Sequence, residues 1–200
     1  MSLMKTWIEM IFPERYDHKI VRLLDESAWL RHVRPSNNKD FISLLSFTEP
    51  EVRAVIHEAK FQHNEKAWRL LALALSSYMK HCDPETLILP IPLSTKRQKK
   101  RGYNQVVKVV RHEKSGVRGA NVREDILYRV RDTTPQTKLK RAERLKNMVG
   151  AFGAHHVLPL ENRHIIILDD VATTGATMMA ARASLAPHKP LSITLLALAH

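Results

Sequence analysis

Residues 165–178 read Ile-Ile-Ile-Leu-Asp-Asp-Val-Ala-Thr-Thr-Gly-Ala-Thr-Met. The four apolar residues 165–168 predict a buried central strand. Asp169 and Asp170 then fall at its carboxyl end, where open α/β sheets bind ligands. Residues 171–177 are small and hydroxylated, which predicts a tight turn feeding a helix over 176–185. Gly175 lets the backbone approach a ligand closely, and N–H groups at a helix start form a nest for phosphate. Two carboxylates beside such a nest suit a ligand with both anionic and neutral polar parts. A ribose 5-phosphate has both, its phosphate in the nest and its 2- and 3-hydroxyls donating to the acids. The acids can also help to hold Mg²⁺ on an attached pyrophosphate. A plain strand–turn–helix with a capping acid is the structural alternative. Neither a P-loop nor a dinucleotide fingerprint occurs in the chain.

Outward from this stretch, residues 86–92 (Thr-Leu-Ile-Leu-Pro-Ile-Pro) predict a second buried strand entering a loop at 94–102. A helix is expected from Asn104 to Val110, and strands at 126–130 and 191–198. Glu49-Pro50-Glu51 marks a helix start, and a further helix spans 65–79 with Trp68, Leu71, Leu75 and Tyr78 on one face. Apolar strands alternating with helices predict an α/β fold, a mostly parallel sheet covered on both faces. Residues 1–45 carry only a weak helical signal, broken by Pro13 and Pro35, and are read as a helical appendage to a domain of residues 46–200. Trp7, Trp29 and Trp68 are expected in the core or at an interface.

The chain has 200 residues, 44% hydrophobic and 26% charged, a globular composition. One cysteine, Cys82, excludes an intrachain disulfide and any Cys-based zinc module. His155-His156 and His81-Cys82 lack metal-ligand spacing, so no protein-only metal site is expected. No apolar run is long enough to cross a bilayer, and Glu9, Pro13 and Glu14 interrupt any signal-peptide core. A soluble cytoplasmic protein without membrane insertion is the expectation. The net charge of +12 sits between Ser94 and Lys146, where seventeen Lys/Arg face five Asp/Glu; the rest of the chain balances. Such a field favours an anionic partner, polyphosphate or nucleic acid. A solvated surface is the alternative.

The whole string 165–178 resembles the phosphoribosyl-pyrophosphate signature of type I phosphoribosyltransferases. Leu89-Pro-Ile-Pro-Leu-Ser, the run from Lys96 to Gln105, and Arg129, Arg131, Gln136, Leu139, Arg144, Asn147 and Phe152 resemble the competence protein ComF/GntX branch of that superfamily. Lys60-Phe61 agrees more weakly. The resemblance spans about residues 87–198. It implies a type I phosphoribosyltransferase fold with an N-terminal helical or hood segment, and binding of phosphoribosyl pyrophosphate with Mg²⁺. It assigns Asp169 and Asp170 to the ribose, and Ala172, Thr173, Thr174, Gly175, Ala176 and Thr177 to the 5-phosphate. Lys100 and Arg101 are expected on the pyrophosphate side, anchored by Tyr103-Asn104-Gln105. Arg131, Gln136 and Arg144 are expected in a mobile loop over 129–147, where Arg144 reaches the pyrophosphate or pairs at the surface. The implied activity is transfer of the phosphoribosyl group to an unidentified base. The rival is a non-catalytic DNA-uptake (competence) factor that binds single-stranded DNA and uses the site for ligand sensing. A homodimer is possible, since dimers are common in the fold. The family's usual four-cysteine zinc ribbon is missing here.

Overall fold

The computed structural model describes residues 15–117, 119–131, 147–155 and 159–200. A five-stranded sheet runs in the order β1-β2-β7-β6-β3. Its strands are β1 (Ser36–Asn37), β2 (Ile42–Leu45), β3 (Leu87–Pro90), β6 (His164–Val171) and β7 (Ser192–Ala199). The pairs β2–β7, β7–β6 and β6–β3 are parallel, and β1 returns antiparallel on β2. Two shorter strands, β4 (Leu127–Arg129) and β5 (Phe152–Ala154), form an antiparallel pair. The expected mostly parallel α/β sheet is therefore the observed one. No helix among the described residues is long and apolar enough to cross a membrane.

Helices cover both faces: α1 (Tyr16–Leu23), α2 (Glu26–Leu30), α3 (Pro50–Phe61), α4 (Glu65–Met79), α5 (Thr95–Arg101), α6 (Gln105–Val110) and α7 (Ala176–Leu185). Pro50 opens α3, with Glu51 in its first turn. Asn64 caps α4 by accepting from the Ala67 N–H at 3.2 Å. The pleat of β6 separates two cores. Ile166 and Leu168 join Leu196, Leu198 and the buried faces of α3, α4 and α6. Ile165 and Ile167 join Leu195, Ala197 and the α7 residues Met178, Ala181 and Leu185.

Three readings of the sequence need correction. Residues 94–102 are not a loop: Ser94 accepts from the Arg97 N–H at 3.3 Å and Gly102 ends helix α5 at φ +76°. That helix buries none of its residues, so no apolar periodicity reports it. Residues 36–45 are not part of an appendage, because β2 pairs in register with β7, Ile42 opposite Leu196 and Leu45 opposite Ala199. The short run Ile42-Ser-Leu-Leu was the overlooked signal. The third is β5, which the sequence reading did not include. Upstream, α2 is tied to the core by Trp29, fully buried, whose Nε1–H donates to the Leu70 carbonyl at 2.6 Å. Trp68 likewise donates to the Ala59 carbonyl at 3.1 Å. Both are core residues; Trp7 lies outside the described residues.

Candidate functional site

The central strand delivers its two acids to the carboxyl edge of the sheet, with β7 on one side and β3 on the other. After Val171 the chain turns sharply. The Ala172 N–H donates to the Ala199 carbonyl at 3.0 Å, which pins the start of the turn to the end of β7. Gly175 adopts φ +70°, and a Cβ there would lie 2.8 Å from Cδ1 of Phe41. Only glycine satisfies both the left-handed backbone and that close ring. The Gly175 carbonyl then accepts from the Met179 N–H at 2.9 Å, the first turn of α7. Asp169 and residues 171–178 line a small concavity at this point. The early N–H groups of α7 have no partner earlier in their own helix, so this is a lobe suited to an anion.

The turn 38–41 between β1 and β2 walls the other side of the loop, forming a second concavity with Thr173, Thr174 and His200. His200 stands edge-on to Phe41, ring centroids 5.2 Å apart, and its Nδ1 lies 2.9 Å from the Ala172 carbonyl oxygen.

The two acids differ in their surroundings. Asp169 accepts the Asp170 N–H at 2.8 Å. Burial first, and then the Asp170 charge, push its carboxyl up to about 7, against the opposing pull of that N–H, Lys60 and Arg129. Burial also acts to raise Asp170. It is outweighed by Lys60, whose Nζ lies 2.9 Å from Oδ2, by the Val171 N–H and by Arg101, so Asp170 is held below the usual carboxylate range.

Of the residues expected on the pyrophosphate side, Arg101 is linked to the acids through Gln105 and Lys100 is exposed. Arg101 donates to Gln105 Oε1 at 2.8 Å and lies over the Phe61 ring at 5.2 Å. Gln105 in turn donates through Nε2 to Asp170 Oδ2. Lys100 is exposed on α5, as are Lys96 and Lys99. Tyr103 donates to the Ala59 carbonyl at 2.8 Å, and Asn104 Nδ2 to the Ile91 carbonyl at 2.9 Å. Arg131 is exposed and donates to the carbonyls of Asn147 and Val149, at 3.0 and 2.9 Å. Gln136 and Arg144 lie outside the described residues.

Lys60 and Gln105 were not among the residues expected at the acids, and neither was Arg129. Arg129 donates from Nε to the Pro92 carbonyl at 2.8 Å and stacks over Phe152 at 4.7 Å, close enough for its charge to act on Asp169. All three belong to segments that resemble the ComF pattern, but only the tertiary structure gives them a place at the acids.

No family model matches the chain. The DNA utilization protein YhgH of Salmonella typhi is 29% identical over 151 residues, 72% of this chain and 65% of that protein. YhgH of Escherichia coli (strain K12) is 29% identical over 135 residues, 64% of this chain and 58% of that protein. Competence protein F of Haemophilus influenzae is 34% identical over 96 residues, 48% of this chain and 41% of that protein. The chain thus spans less than two thirds of the length of these relatives. Among solved structures, the hypoxanthine-guanine phosphoribosyl transferase of L. donovani overlaps 73% of this chain and 71% of its own, at 13% identity and a TM-score of 0.35. The chain is thus similar in sequence to the DNA utilization protein YhgH and to Competence protein F.

Proposed function

We propose that the chain binds phosphoribosyl pyrophosphate with Mg²⁺ at the carboxyl end of β6 and transfers the phosphoribosyl group to a base. The observation that carries this reading is the concavity of Asp169 and residues 171–178. It joins a carboxylate to a loop of small residues at the start of a ten-residue helix. The 5-phosphate would take the loop over 172–177, and the sugar hydroxyls the strand end. The pyrophosphate would lie toward Arg101, whose planar fork suits phosphate oxygens. In the transfer, the bond from C1 to the pyrophosphate oxygen breaks with its electron pair staying on pyrophosphate, the lone pair of a base nitrogen forms the new bond to C1, and that base's N–H proton passes to solvent. The protein's part is to position the donor and to stabilise the leaving charge.

Among the described residues, no three of His, Cys, Asp and Glu converge as a metal cluster, and Asp170 is engaged by Lys60. This donor set suits a Mg²⁺ carried chiefly by pyrophosphate oxygens and water. Titration calorimetry of the full chain with Mg²⁺ and the donor tests the reading. Saturable heat in wild type that is lost in Asp169→Asn supports it, and no heat in wild type refutes it. Pyrophosphate release across a panel of nucleobases tests the transfer.

The names of the relatives suit a second reading, in which the chain serves DNA uptake by binding single-stranded DNA. One observation favours it: α5 presents Lys96, Arg97, Lys99 and Lys100 with no buried residue. Binding would then weaken steeply with salt, and Lys96→Ala with Lys99→Ala would shallow that slope by about 1.4. An unchanged slope would remove α5 from a DNA-binding role.

A further inference from the structure

The threonine loop is propped from outside by two rings remote from it in sequence. Ala172, at its start, is held through both backbone groups: its N–H donates to the Ala199 carbonyl at 3.0 Å, and its carbonyl oxygen lies 2.9 Å from His200 Nδ1. A carbonyl oxygen only accepts, so Nδ1 carries the proton in this bond. The His200 backbone is itself fixed. Its N–H donates to the Leu45 carbonyl at 3.1 Å, and its carbonyl accepts from the Phe47 N–H at 2.8 Å. The His200 ring stands edge-on to Phe41. Phe41 is buried, and its carbonyl accepts from the Asn38 N–H at 2.8 Å, which closes the turn before β2. Its ring in turn lies against Gly175, so closely that a Cβ there would sit 2.8 Å from Cδ1. The loop is therefore supported at Ala172 by a hydrogen bond and at Gly175 by contact. The described peptide bonds are trans, and a trans peptide holds its C=O and N–H pointing to opposite sides. Fixing the Ala172 carbonyl toward His200 thus turns the Thr173 N–H to the side of the loop away from His200.

We propose that His200 and Phe41 are positioning residues for the 5-phosphate: the His200 bond to Ala172 aims the Thr173 N–H at the phosphate, and Phe41 keeps Gly175 in its left-handed conformation. This rests on the donor-binding reading above and adds to it two residues that act through the loop and not on the ligand. Their effect is pre-organisation. Without them, part of the binding free energy goes into ordering the loop, and affinity falls. The effect is also local. The pyrophosphate end lies toward Arg101, on the β3 side of the central strand, whereas His200 and Phe41 stand on the β7 and β2 side. Loss of the prop should therefore weaken ligands that carry the 5-phosphate and spare pyrophosphate alone.

The test is titration calorimetry of the full chain with Mg²⁺ and three probes: phosphoribosyl pyrophosphate, ribose 5-phosphate and pyrophosphate. His200→Leu should weaken the first two by the same factor, about three- to tenfold, the worth of one neutral hydrogen bond. It should leave pyrophosphate unchanged. His200→Asn should bind all three as wild type does, because its amide N–H stands where Nδ1–H stood. Asparagine carries no charge, so this rescue also separates a prop from simple attraction between an imidazolium and phosphate. Where His200→Leu does not fold, His200→Gln replaces it, since the longer amide matches Nε2 and not Nδ1, and the same loss is expected. Three outcomes overturn the proposal: wild-type affinity in His200→Leu, an equal loss for pyrophosphate, or a loss in His200→Asn as large as in His200→Leu. If wild type binds neither sugar phosphate, the donor-binding reading fails separately. The prop is then judged by amide NMR relaxation without ligand, where backbone order over residues 172–175 should fall in His200→Leu and hold in His200→Asn. Equal order in wild type and both variants overturns it as well.

Discussion

Asp169 should make the protein less stable as pH rises through the neutral range, and Asp169→Asn should remove that loss. Burial and the Asp170 charge raise its carboxyl from 3.8 to about 7. A raised acid means that the folded state holds the proton more tightly than the unfolded chain. Below the unfolded value the group has no effect. Between the two values the unfolded chain ionises freely while the folded site resists, so stability falls; above the folded value the loss is constant. At about 1.4 kcal/mol per unit, the cost is about 2 kcal/mol at about pH 5 and about 4 kcal/mol at about pH 8. Asp170 is shifted the other way: its stabilisation is present above the unfolded value and is lost as pH falls through its lower folded value, outside this window. Asparagine is neutral, has the same shape, and keeps an oxygen for the Asp170 N–H, now 2.8 Å away. The assay is urea unfolding of both proteins at the two pH values. Histidines and remote acids cancel in the difference, so the gap between variant and wild type should widen by about 2–3 kcal/mol on going to the higher pH. An equal gap at both would refute the argument from burial and like charge.

Gly175→Ala should cost about 2–3 kcal/mol in urea unfolding, because alanine is strained at φ +70° and its methyl would press on Phe41. Trp29→Ala should cost about 3–5 kcal/mol within one cooperative transition; a loss under about 1 kcal/mol would show that α2 is not part of the core. Tyr103→Phe removes the hydroxyl that reaches the Ala59 and Lys60 carbonyls and should lower unfolding free energy by about 1–2 kcal/mol.

The strand, turn and helix from Ile165 to Leu185 were legible because each is encoded locally: an apolar run, small turn residues, a glycine at the turn and a helical stretch of alanine and methionine. Helices α3 and α4 were legible for the same reason, through Pro50 and the apolar spacing that follows it. Helix α5 was not, although Ser94 and Gly102 bracket it, because a helix that buries nothing has no apolar rhythm. Strand β2 was missed because four residues hold little periodic information, and its partner β7 lies at the far end of the chain. The difference in surroundings between Asp169 and Asp170 is half written in the sequence. Alternation along a strand sends neighbours to opposite faces whatever the fold. Which face carries Lys60 and Gln105, and which opens on the threonine loop, follows from the sides on which α3, α6 and α7 pack. Local pattern could supply the two acids and the loop; it could not choose their partners, because Lys60, Gln105 and Asp170 meet only after the chain has crossed the sheet and buried them together.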